Sequence, residues 1–328
     1  MPTLKLVDSL EALVLVDNVT DSLSSAPAFV ETEFSALGRR RLGGWVLGGG
    51  CLCCAAHGLS CLITIRLGAE VKTLLFDSGP EDRVFEINVS RAGADLGDVD
   101  AIILSHGHWD HGGGMLRALQ IIRDRNGGRR VPYYAHPDMF RTRATKQPNG
   151  QMRLMEDVPS VDDLTAFGAD VINTTETEVL FDGMALVSGE VPRVTPFERG
   201  FPGQYRKRLD GNGWELDELI LDERFVAANV RNKGLIVFTA CSHAGVVNLL
   251  KHATTCFPGA PLHAVIGGLH LSGGNEKIIA ETVEAMRQFD LAVIAAGHCT
   301  GWRAITALAN AFGEDRLAPL AVGKRFVF

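Results

Sequence analysis

Four side chains able to hold a metal ion fall within six positions: His106, His108, Asp110 and His111. On an extended segment alternate side chains point the same way, so His106 and His108 can reach one ion. A turn after them lets Asp110 and His111 face a second. Imidazole together with carboxylate suits zinc, iron or manganese. Gly112, Gly113 and Gly114 follow, letting the backbone crowd the site and turn sharply into the next helix. A lone histidine is usually structural. Three with an aspartate at this spacing, between an apolar strand and a glycine triplet, point to metal chemistry.

The elements that must carry this run are short strands alternating with helices. Cys61–Ile65 and Val71–Phe76 read as strands, and Asp77-Ser78-Gly79-Pro80 breaks the second. Asp100–Leu104 is a buried-type strand leading straight into Ser105 and His106. Met115–Arg125 has helical spacing, and Val131–Ala135 reads as a strand. In the second half, Val179–Phe181 and Met184–Ser188 form a hairpin around Asp182-Gly183. Gly234–Thr239, His263–Ile266 and Leu291–Ala295 read as strands, with helices over Val246–Ala253 and Glu276–Phe289. Two such halves predict sheet packed on sheet with helices outside, in one domain over 1–328. Irregular substrate-loop regions are expected near 22–58 and 190–225. Within the second, Pro196–Glu223 is polar and long enough to be a lid.

The chain has 328 residues, 46% hydrophobic and 22% charged, which is an ordinary globular balance. A chain this long buries a core without help from a metal, so a metal here serves chemistry. A net charge of −7 lacks the basic footprint of a nucleic-acid binder. Arg39-Arg40-Arg41 and Arg206-Lys207-Arg208 read as solvated surface. No run approaches the roughly 20 apolar residues of a membrane span, and the start lacks a leader pattern. Seven unevenly spread cysteines argue for a reducing compartment, so a cytoplasmic location is expected. Cys51, Cys53, Cys54 and Cys61 fit no common ligand spacing and read as small packing residues. His252 and His263 read as surface and strand-edge residues.

The run from His106 to His111 resembles the HxHxDH signature of the metallo-β-lactamase superfamily. The resemblance implies an α/β fold, a four-layer αβ/βα sandwich with one or two metal ions between the sheets. It implies a supporting role for Asp77 in Asp77-Ser78-Gly79. Cys241 stands where many members carry a bridging aspartate, and a thiolate there favours zinc. His243, two residues on, competes for the same task. His270 and His298 each follow an apolar strand; one is expected to complete the metal shell and the other to stand near the reacting group. Members usually carry a further histidine ligand before the bridging residue, yet none lies between His136 and His243. Glu190 or His243 is the expected replacement. His136 is usually structural in the family, with an accessory metal at a subunit contact as the other reading, so a homodimer stays open.

A narrower likeness covers residues 17 to 301. Asp17-Asn18, His57-Gly58-Leu59-Ser60, Gly189–Arg193, Cys241-Ser242-His243 and His298-Cys299-Thr300-Gly301 resemble metal-dependent hydrolases related to a methanopterin-pathway dihydropterin ribofuranosylaminobenzene phosphate synthase. That likeness implies substrate contacts from His57, Glu190 and Arg193. The bland alternatives are a core His57 and a structural Arg193–Glu190 pair. The metal ligand set so expected is His106, His108, Asp110, His111, Cys241, His243 and His298, holding one or two zinc ions, with iron or manganese as alternatives. The expected activity is hydrolysis of a small-molecule ester, phosphoester, lactone or similar compound by a metal-bound hydroxide. Asp110 orients or deprotonates the water, or holds the second metal, and His270 or His298 protonates the leaving group. The competing enzyme reading is carbon–nitrogen bond formation on a pterin diphosphate. A non-catalytic sensor or scaffold is the reading from another class, and the intact first cluster argues against it.

Overall fold

The structure is a computed structural model that describes residues 4–40 and 46–328. Arg41, the last residue of the first basic cluster, lies outside them. Apolar runs such as Cys61–Ile65 and Val71–Phe76 pair as antiparallel neighbours, Ile63 opposite Leu74. They belong to an eight-stranded sheet in the order 169–173, 131–135, 99–103, 70–76, 60–67, 9–16, 325–327, 30–31. The strands 70–76, 99–103, 131–135 and 169–173 run parallel. Parallel neighbours need crossovers, which the helices Asp82–Ala92 and Met115–Arg125 supply.

A second sheet follows the order 178–180, 185–187, 226–230, 234–239, 262–268, 293–297, with Leu6–Val7 paired to 226–230. Its last three strands are parallel. Ile63, Leu74 and Ile103 of the first sheet share a buried cluster with Val187, Ile236 and Ile266 of the second. A second cluster packs Phe85, Val89, Leu119 and Ile122 beneath the first sheet's helices. A third buries Val247, Leu250, Met286 and Leu308 beneath helices 246–256, 279–286 and 302–312. Helix, sheet, sheet and helix are therefore the four layers, as the sequence predicts.

The region 196–223 departs from expectation. It contains the strands Gln204–Lys207 and Trp214–Leu216, which pair with each other. The first also pairs with Arg143–Lys146, and Met152–Leu154 completes a third sheet of four strands. These strands are short and carry charges such as Arg206 and Lys207, so apolar alternation never marks them. The early irregular region likewise holds a strand at Val30–Glu31 and a helix at Glu33–Arg40. The helix expected over 276–289 starts as a 3-10 turn and is α-helical only over Ile279–Met286. Among the described residues, no helix is long and apolar enough to cross a membrane.

Candidate metal centre

Parallel strands deliver their following loops to the same end of a sheet, where open α/β sheets hold their ligands. In the first sheet, 70–76 leads to Asp77 and 99–103 leads to Ser105 and the histidine run. In the second, strands 234–239, 262–268 and 293–297 lead to Cys241 and His243, to His270, and to His298 and Cys299. The exits are sharp: Asp77, Ser242, His270 and His298 have φ of 59°, 58°, 43° and 47°. Left-handed backbone costs a non-glycine residue on the order of 1–2 kcal/mol, and such strain gathers at functional sites. Gly113 serves in another way, by close approach: a Cβ there would lie 1.9 Å from the Pro80 carbonyl oxygen.

Two groups of donor atoms result. His106, His108 and His243 form the first. His106 Nε2 lies 3.0 Å from His108 Nδ1 and 3.2 Å from His243 Nε2. Tetrahedral coordination at a Zn–N distance of about 2.0–2.1 Å spaces ligand nitrogens roughly 3.3 Å apart, so these three fit one ion. Asp110, His111 and His298 form the second group. Asp110 Oδ2 stands 3.6 Å from His111 Nε2 and 3.4 Å from His298 Nε2. Cys241 lies between the groups, its sulfur 3.3 Å from His111 Nε2, and also clusters with His243 and His270. Of the nitrogens facing these groups, His298 Nε2 is buried without a hydrogen-bond partner. Buried polar atoms are rarely left so, and an electrophile shared with Asp110 accounts for it; at His108 and His243 the unpartnered nitrogens are the opposite ones, Nε2 and Nδ1. The donor set therefore fits one or two metal ions.

Hydrogen bonds fix which ring nitrogens face inward. The Ser105 hydroxyl donates to Asp77 Oδ2 at 2.7 Å, so its oxygen accepts from His106 Nδ1 at 3.0 Å. His106 Nε2 is then left as a lone pair. Asp77 Oδ2 accepts from His111 Nδ1 at 2.8 Å, and Asn18 Oδ1 accepts from His298 Nδ1 at 3.0 Å. Such outer partners set the tautomer of a metal-binding histidine. Asp17 Oδ1 accepts the His298 amide at 2.9 Å and holds that sharp turn.

Burial pushes the His106 and His243 imidazoles well below their ordinary range, and neighbouring histidines add to this. Burial and then Arg143 bring His108 down to about 3. His111 goes the other way: burial opposes its charge, but Asp110 and Asp77 outweigh burial and raise it to about 9. Burial alone would raise Asp110, yet His111 and His298 hold it well below the carboxylate range. Burial and the neighbouring Cys299 push the Cys241 thiol up.

The centre opens into a cavity of about 400 Å³ whose walls include Asn18, His57, Trp109, Phe201, Gln204 and Ser272. His108, Asp110, Cys241, His243, His270 and His298 line the same cavity. His57 Nε2 is 3.5 Å from Asp110 Oδ2, and Asn18 Nδ2 lies 3.1 Å from His57 Nδ1. His270 stacks edge-on to Phe201 and beside His243. A larger depression of about 830 Å³, lined by residues such as Gly93, Arg125 and Arg129, gathers no metal-holding group among the described residues. Chemistry therefore favours the smaller one.

Glu190 and Arg193 stand outside this cavity. Glu190 is half-exposed and pairs with His136 Nε2 at 3.2 Å. Arg193 spends its guanidinium on the carbonyls of Val191 and Leu219. No ion pair joins the two among the described residues. His243, rather than Glu190, is the side chain grouped with His106 and His108. The cysteines at 51–61 form no metal-holding group among the described residues. Met155, Phe201 and Gln204, which also line the cavity, lie on or beside strands of the third sheet and carry no local sequence signal.

Residues 64–180 match the profile of the metallo-beta-lactamase superfamily. The chain is 28% identical, over 262 residues, to 7,8-dihydropterin-6-methyl-4-(beta-D-ribofuranosyl)-aminobenzene-5'-phosphate synthase of Methanocaldococcus jannaschii, covering 79% of this chain and 86% of that one. An uncharacterized protein of the same organism is 28% identical over 256 residues, 78% of this chain and 88% of that one. Among solved structures, a metal-dependent hydrolase of the beta-lactamase superfamily superposes with TM-score 0.69 at 19% identity, over 97% of this chain and 98% of the other. The metallo-beta-lactamase fold protein YhfI of Bacillus subtilis gives TM-score 0.50 at 12% identity, over 98% and 99%. The superfamily profile is thus matched across the histidine run, and the chain shares the metallo-β-lactamase fold along almost its whole length.

Proposed function

We propose that the chain is a metal-dependent hydrolase of a small-molecule ester, phosphoester or lactone. One observation carries this reading: two groups of metal-holding side chains, their rings oriented by hydrogen bonds to Ser105, Asp77 and Asn18, border one cavity of small-molecule size. Zinc is the metal proposed, because a thiol, Cys241, stands among the nitrogen and oxygen donors. When bound, such an ion supplies Lewis acidity and lowers the pKa of water toward neutrality.

The residues themselves divide the remaining work. Asp110 stays anionic because His111 and His298 hold its proton affinity down. It therefore orients the attacking water rather than storing its proton. Asn18 donates to His57 Nδ1, which leaves the His57 proton on Nε2, facing Asp110 and the cavity. His270 borders the cavity beside His243 and Phe201 and is the proposed donor to the leaving group. Trp109 and Phe201 supply apolar wall, and Gln204 and Ser272 supply polar contacts.

A second reading has its own support. The Methanocaldococcus relative is named a synthase, and the same centre would then stabilise the departing diphosphate as an arylamine nitrogen displaces it from a pterin diphosphate. The deciding experiment is metal analysis of the purified chain, then turnover of an ester, phosphoester and lactone panel beside a pterin diphosphate with an arylamine. His108→Ala and Asp110→Asn should abolish turnover and keep the fold. Full activity of either variant after metal reconstitution overturns the assignment. Arylamine-dependent diphosphate release without hydrolysis of the panel selects the synthase.

A further inference from the structure

Three consecutive residues touch both loops that carry the three-imidazole group. Asp222 Oδ2 accepts the amide of Gly107, between His106 and His108, at 2.8 Å. Glu223 accepts the amides of His243 and Ala244, at 2.7 Å each. The Arg224 amide donates to the Ser105 carbonyl at 2.8 Å. All three residues are buried. Arg143 supplies the countercharge: it bonds Asp222 at 2.8 Å, the Gly107 carbonyl at 3.0 Å and Asp217 at 3.1 Å.

Burying two carboxylates is expensive unless each gains strong partners. Charge-assisted bonds to backbone amides are such partners. Here they span two loops 137 positions apart in the chain. We propose that Asp222-Glu223 is a positioning staple that fixes His106 and His108 against His243, so that the three imidazoles stand at metal spacing before any ion arrives. The proposal rests on the reading that these imidazoles hold an ion. Arg143 belongs to the third sheet, which also carries Gln204 of the cavity wall, so the staple also ties that sheet to the two histidine loops.

Glu198 provides a matched control. It is buried and accepts the amides of Val247 and Asn248 at 2.9 and 2.8 Å, at a helix start that carries no metal donor. The full chain is compared as wild type, Glu223→Gln, Asp222→Asn and Glu198→Gln, by chelator competition for zinc and by the visible spectrum of the cobalt-loaded protein. Glu223→Gln and Asp222→Asn should weaken one of the ions about 10–100-fold, the usual effect of an outer-shell loss, and alter the cobalt spectrum. Glu198→Gln should lower the melting temperature and leave both metal readouts unchanged. Equal effects from Glu223→Gln and Glu198→Gln, or unchanged affinity in both staple variants, overturn the staple. If the variants fail to fold, hydrogen exchange on the metal-free wild type decides. Protected amides at Gly107, His243 and Ala244 support the staple, whereas protection appearing only with metal refutes it. A wild type that binds no ion defeats the metal reading itself; a metal-binding wild type with indifferent variants defeats only the staple.

Discussion

Replacing Asp77 by asparagine tests the electrostatics of the centre most directly. Asp77 is fully buried, and its carboxylate accepts three donors: the Ser105 amide at 2.7 Å, the Ser105 hydroxyl at 2.7 Å and His111 Nδ1 at 2.8 Å. Asparagine keeps one acceptor oxygen and turns an NH2 toward donors. The His111 pKa, raised from 6.5 to about 9 by Asp110 and then Asp77 against the pull of burial, corresponds to roughly 3 kcal/mol at about 1.4 kcal/mol per unit. A raised folded pKa contributes stability that is complete below 6.5 and is lost as pH rises through about 9. Losing one partner of a buried charged pair costs about 3–5 kcal/mol. Metal-free Asp77→Asn should therefore unfold at lower urea than the metal-free wild type at pH 6. The gap should narrow at pH 10, where His111 is neutral in both. Urea titrations of the two proteins at the two pH values supply the numbers. A gap below about 1 kcal/mol at pH 6, or one that does not shrink by pH 10, would refute the reasoning.

Other substitutions probe the neighbouring contacts. Gly107→Ala would set a Cβ 2.2 Å from Arg143 Nη1 and 2.3 Å from the Met139 carbonyl, so it should destabilise by about 1–3 kcal/mol or more and impair metal loading, read by urea midpoint and zinc content. Asn18→Leu removes the acceptor that holds the His298 tautomer and should weaken the ion at Asp110, His111 and His298 about 10–100-fold; two ions held as tightly as in wild type would remove the tautomer argument. Glu190→Ala breaks only a half-exposed pair with His136, worth under about 1 kcal/mol. Its kcat/KM should stay close to wild type, and a loss beyond about tenfold would return Glu190 to the cavity.

The sequence was most legible where chemistry and local pattern coincide. Met115–Arg125, Val131–Ala135 and Gly234–Thr239 have the bounds that periodicity predicts. The histidine run points to a metal site through spacing alone, and the structure gathers its side chains into groups that could hold an ion. The third sheet was hidden because its strands are short and half-solvated, and they carry ion pairs such as Arg206 with Asp138 and Glu215 in place of an apolar pattern. Asp222 and Glu223 were hidden for a related reason. Inside a polar stretch, an acidic pair looks like solvated surface, and only long-range packing shows that it is buried. Glu190 drew attention because it lies near the family's usual histidine in chain order, but distance along the chain does not decide which side chain reaches the ion.

The missing histidine has a geometric explanation in the turn after strand Gly234–Thr239. Ser242 adopts φ of 58°, and its hydroxyl donates to the Gly268 carbonyl at 2.8 Å. The chain thus reverses between Cys241 and His243. Cys241 is directed to His111, while His243 is directed to His106. One turn so serves both metal groups, a task the family pattern divides between two loops. Among the described residues the loop 187–193 contributes no donor to either group, and its Glu190 faces solvent and pairs with His136. A cost accompanies this economy, because a single turn in left-handed backbone now carries donors for both groups. The Glu223 carboxylate on the amides of His243 and Ala244 is the contact that offsets it. Spacing within the three-imidazole group should therefore respond to changes in residues 222–223 more than to changes in the loop where the family's histidine normally stands.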